Sequence, residues 1–79
     1  MTALDKLHRL IREKRLEAKL TRAGLADAAS QLSDETISEE AVRWIEVACT
    51  TTPKATVLRP VAAALKIPWA QILEATGMA

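Results

Sequence analysis

The sequence predicts an all-α domain of five short helices, and three observations lead to that class. Apolar residues recur at three- and four-residue spacing, and no segment alternates as a strand does. Thr21, Ser38, Pro53, Pro68 and Gly77 supply helix starts and stops at helix-length intervals. The chain has 79 residues, 49% hydrophobic and 27% charged, which suits one globular domain with a modest core.

Helix 1 is expected from about Thr2 to Lys19, with Leu4, Leu7, Ile11 and Ala18 on its inner stripe and Leu10 beside it. Thr21 is a plausible N-cap for helix 2, residues 22–31, whose apolar set is Leu25, Ala26, Ala28, Ala29 and Leu32. Leu32 to Ile37 reads as a turn. Ser38 then caps helix 3, Glu39 and Glu40 favour its first turn through the helix dipole, and Val42 and Ile45 point inward. The run from Cys49 to Pro53 ends that helix and forms a loop. Helix 4 covers about Thr56 to Lys66, with Val57, Leu58, Val61, Ala62 and Leu65 inward. Pro60 is tolerable there only in or just after the first turn. Pro68 opens helix 5 at its first position, Ile72 and Leu73 anchor it, and Gly77 ends it. With Tyr and Phe absent and Trp44 and Trp69 the two aromatics, the core is aliphatic, and its many alanines permit close helix–helix approach.

Charge is segregated behind a formal net charge of +1. Residues 1–24 carry seven basic against three acidic side chains, +4; residues 25–48 carry six acidic against Arg43, −5; residues 49–79 carry three basic against Glu74, +2. A domain that relied on phosphate attraction at residues 38–48 normally reverses that order.

Other classes find little support. Ser30, Ser33 and Ser38 have no histidine in reach by sequence logic, and no phosphate-cradling glycine loop or metal-ligand cluster is present, so neither an enzyme nor a cofactor is expected. His8 lacks a partner at ligand spacing. Cys49 has no basic neighbours and reads as an inert thiol. One cysteine, no signal-peptide pattern and no membrane-length apolar run lead to the expectation of a cytoplasmic protein without membrane contact.

Residues 37–46, I-S-E-E-A-V-R-W-I-E, carry the most specific pattern: a serine-capped short helix with two inward apolar positions, closing on Ile-Glu. Together with I-R-E-K-R-L-E-A-K-L-T, T-R-A-G-L-A and P-K-A-T-V-L-R-P-V-A-A-A-L-K-I-P-W-A-Q-I-L, in that order, it resembles the Cro and lambda-repressor (XRE-type) helix-turn-helix family from about Leu7 to Leu73. The resemblance implies a compact five-helix DNA-binding domain and a sequence-specific transcriptional regulator, a repressor or Cro of phage type, with residues 38–48 in the major groove. It implies that Arg15 pairs with Glu46 and locks helix 1 to helix 3. It further implies that Arg22 touches backbone phosphate; that Ser38, Glu39, Glu40, Arg43 and Trp44 face bases or phosphate; and that Thr50, Thr51, Thr52 and Lys54 lie along the sugar–phosphate chain.

The chain departs from the family pattern at three points. The turn before helix 3 is longer and carries Asp34 and Glu35, Ala48 replaces a glycine, and the reading positions are acidic. Glutamate can accept from cytosine N4, yet each uncompensated carboxylate near phosphate costs affinity. Binding to double-stranded DNA is therefore expected to be modest and salt-sensitive, or aided by a homodimer through helices 4 and 5, with Trp69, Ile72 and Met78 as candidates. Trp44 serves equally as a base wedge or as a partner contact. The alternative is a protein-interaction module, antirepressor-like or partner-sequestering, that works through the acidic helix 3 face.

Overall fold

A computed structural model describes residues 4–48 and 51–77. Among them are five α-helices and no strand: α1, Asp5–Glu17; α2, Arg22–Gln31; α3, Glu39–Arg43; α4, Ala55–Ala64; and α5, Trp69–Thr76. α3 continues without a break into a π-helical turn, Trp44–Ala48.

α2 packs against α3 and α4, while α1 packs against the π turn and α5. All five helices feed one aliphatic core. Leu7, Ile11, Leu25, Ala29, Val42, Ile45, Val61 and Ile72 have no exposed surface. The small Ala26 and Ala29 on α2 let its backbone approach its neighbours closely, so a short helix can contact two others.

The helix ends explain how so short a chain turns so often. Thr21 Oγ1 accepts the Gly24 N–H at 3.0 Å and starts α2. α1 ends in a Schellman motif, with Lys19 N–H donating to Leu16 O and Leu20 N–H to Arg15 O. α4 repeats the device through Lys66 N–H to Ala63 O and Ile67 N–H to Ala62 O. Both motifs place a lysine in the left-handed region (φ 59° at Lys19, 58° at Lys66), where glycine is the usual residue. Gly77, at φ 76°, closes α5.

Several boundaries differ from the sequence reading. α1 stops at Glu17, so Ala18 lies beyond it and is exposed. Leu32 is the C-cap of α2 rather than a core residue and is 58% exposed, because the helix ends at it and the chain turns into the connection that follows. Ala28 and Leu73 are half-buried. Pro68 is the N-cap of α5, one residue before the position expected for it. α4 begins and ends a little early, and Pro60 sits inside it, past the first turn, where the Thr56 carbonyl loses its helical donor. Burial of Pro60 in the core offsets that loss. Thr2, Cys49 and Met78 lie outside the described residues.

The long connection 32–38 is tied back to α2 by the Ser30 side chain, a role that sequence reasoning passed over. Ser30 Oγ accepts the Ile37 N–H at 2.8 Å and sits 2.8 Å from Ala26 O and 3.1 Å from Ile37 O, either of which its proton can reach. The bond pins Ile37, which is buried. Ser30→Ala is expected to lower unfolding free energy by about 1–2 kcal/mol, because the Ile37 amide is left without its acceptor. Urea unfolding checks this; a change within about 0.3 kcal/mol removes Ser30 from that role.

Candidate nucleic-acid interface

Ser38 Oγ accepts the Ala41 N–H at 3.1 Å, so the residue expected at the interface is itself the cap that starts α3. From there the helix divides its faces. Val42 and Ile45 enter the core, whereas Glu39, Glu40, Arg43 and Trp44 are exposed. Trp44 is 40% exposed, and Val47, one turn on, is 48% exposed.

Glu46 is the exception among the acids of this segment, since its side chain is wholly buried. Arg15 reaches it from α1 as a fork: Nε donates to Oε2 at 2.7 Å and Nη2 to Oε1 at 3.1 Å. The third guanidinium nitrogen, Nη1, donates to Leu20 O at 2.9 Å, which ties the same arginine to the turn that ends α1. One side chain thereby joins α1, the entry to α2 and the end of helix 3. The π turn brings Glu46 to the same inner side as Val42 and Ile45, which lets a charge seat beside the core.

Arg22, expected on a backbone phosphate, lies with its Nε 3.5 Å from Glu46 Oε1, and this nitrogen is buried with no hydrogen-bond partner. Both Glu46 oxygens already accept from Arg15, so Arg22 receives attraction without a bond. Glu46 thus faces two arginines, and Arg22 is held along the helix 3 surface instead of standing clear of it.

On the other side of Trp44 the sequence-predicted residues do converge. Trp44, Thr51, Thr52 and Lys54 border one cavity of about 360 Å³ with Ala41, Pro53 and Val57. Thr51, Thr52 and Lys54 are exposed; Thr50 lies outside the described residues. Arg22 does not line this cavity, and the two groups flank α3 as separate sets.

The dimer candidates separate as well. Ile72 is fully buried and has no surface to offer a second copy. Trp69 is half-buried, with the Arg59 guanidinium 4.6 Å from its ring centroid, a cation–π contact that ties α4 to α5. Met78 lies outside the described residues. No helix among the described residues is long and apolar enough to cross a membrane. Comparison with protein-family models, with curated proteins and with solved structures finds no match.

Proposed function

We propose that this chain is a sequence-specific DNA-binding regulator of the helix-turn-helix kind, resembling a phage repressor or Cro, acting in the cytoplasm. The observation that carries the reading is the two-faced helix 39–48: one side buries Val42, Ile45 and Glu46, and the other presents Glu39, Glu40, Arg43 and Trp44 to solvent. A helix clamped from behind by a forked arginine and bare in front is suited to entering a groove as a rigid unit. Arg43 is the cation available for guanine or phosphate. Glu39 and Glu40 are acceptors, complementary to the amino groups of cytosine and adenine. Thr51, Thr52 and Lys54 flank the helix where hydroxyls and an ammonium suit the sugar–phosphate chain.

Fluorescence anisotropy with random duplex DNA at low and moderate salt, followed by selection from a duplex library, tests this reading. Saturable binding with a steep negative salt slope is expected. Arg22→Ala is expected to weaken binding to all sequences by about tenfold and to lower the salt slope by about one, as for a phosphate contact. Glu40→Ala is expected to strengthen binding or alter the selected sequence. An Arg22→Ala protein with unchanged affinity removes α2 from the DNA backbone.

A second reading rests on a specific observation. Asp34, Glu35, Glu39 and Glu40 are all exposed, and Trp44 and Val47 add apolar surface on the same helix. An acidic surface with an aromatic anchor suits a basic protein partner, as in an antirepressor. Failure of every duplex, including those from the library, transfers the assignment to this module.

A further inference from the structure

α1 carries a second cationic surface that none of the expected contacts uses. Asp5, His8, Arg9 and Arg12 fall on successive turns of one side of α1 and, with Glu46, line a groove of about 270 Å³. Arg9 and Arg12 are exposed. The carboxylate beneath them is already committed, since both oxygens of Glu46 accept from Arg15 and one also faces Arg22 at 3.5 Å. Of the charged side chains that line the groove, Arg9 and Arg12 stand against Asp5, because Glu46 is committed to Arg15, and one positive charge is left in surplus there.

We propose that the Arg9–Arg12 groove on α1 docks a backbone phosphate of duplex DNA, and that α1 thereby supplies attraction the acidic helix 39–48 lacks. The inference rests on the DNA-binding reading above. Planar, always-charged guanidinium forks match the oxygen geometry of a phosphodiester, and two of them on adjacent turns can hold one group from two sides. Glu46 lines this groove as well, so a phosphate held there lies beside the end of helix 39–48. The charge order of the chain then makes sense as a division of labour. Residues 1–24, at +4, attract the backbone; residues 25–48, at −5, select against sequences lacking amino groups at the contacted bases.

The test compares Arg9→Gln/Arg12→Gln with wild type in duplex anisotropy across a salt series. Lys6→Gln serves as the charge control, because Lys6 lines a different groove on the α5 side of the same helix. The double variant is expected to bind every duplex at least about tenfold more weakly, with the salt slope reduced by about 0.9 for each phosphate no longer neutralised. Lys6→Gln is expected to change affinity less than about twofold. Equal thermal unfolding midpoints for all three proteins exclude a folding defect. A double variant with wild-type affinity and slope overturns the proposal while leaving the DNA reading intact, as does a Lys6→Gln effect as large as that of the double variant. Inorganic phosphate provides the remaining arm. Chemical-shift changes at Arg9 and Arg12 with phosphate, but DNA affinity indifferent to their replacement, mark a free-anion site and also overturn it. A wild-type protein that binds no duplex brings down both readings together.

Discussion

Glu46→Ala is expected to lower the unfolding free energy by about 3 kcal/mol, the largest loss from any single charge in this chain. The side chain is wholly buried, and its removal strands the Arg15 fork, itself almost wholly buried, together with the buried Nε of Arg22. Both guanidinium groups then face each other without the anion between them. A domain of this size has roughly 4–12 kcal/mol of stability in total, so the variant stands near the threshold of folding. Urea unfolding monitored by circular dichroism measures the loss, and a change below about 1 kcal/mol contradicts the buried clamp. Arg15→Ala is expected to be milder, because Arg22 remains beside Glu46 as a substitute cation. The double-mutant cycle between positions 15 and 46 isolates the coupling. Arg15→Lys is expected to recover little, since an ammonium cannot reproduce two bonds to Glu46 and a third to Leu20 O.

The pair need not be the most stabilising arrangement for that site. An apolar pair of similar volume often matches or exceeds a buried ion pair. What the forked contact adds is orientation: it sets the rotation of helix 39–48 about its own axis, and thereby which residues face outward. On the DNA-binding reading, an apolar replacement that preserves stability while abolishing sequence selectivity separates these two roles.

Ile45→Ala is expected to cost about 3 kcal/mol as well, by a different mechanism. Ile45 has no exposed surface, and its truncation removes buried methyl groups and leaves a cavity against α1. Val47, two residues on, is 48% exposed, and Val47→Ala is expected to stay within about 0.5 kcal/mol. The contrast between near neighbours reads out which side of the π turn faces the core. Equal losses at 45 and 47 mean that the helix is seated in another rotation.

Much of this architecture was legible in the chain. Thr21 and Ser38 announce their helices because a short hydroxyl side chain satisfies amides that the first turn leaves bare, a local effect needing no tertiary partner. Val42 and Ile45, or Leu58, Val61 and Leu65, announce the inner faces because helical spacing alone aligns them. Leu32 misled for the same reason: it keeps the spacing, but the helix ends beneath it. Ile72 likewise offered an apolar side chain whose destination, core or dimer surface, periodicity cannot distinguish.

The sequence by itself determined the all-helical class, the number of helices and most of the core, since these follow from spacing and capping within a few residues. The three-dimensional arrangement decided everything that depends on two distant side chains sharing one partner. Arg22 meets Glu46, Ser30 holds Ile37, and Arg9 and Arg12 gather at a groove edged by a residue more than thirty positions away. Charge interactions act through space with no periodic imprint along the chain, so beyond the Arg15–Glu46 pair that the family resemblance implied, only the packed helices reveal which carboxylate an arginine meets.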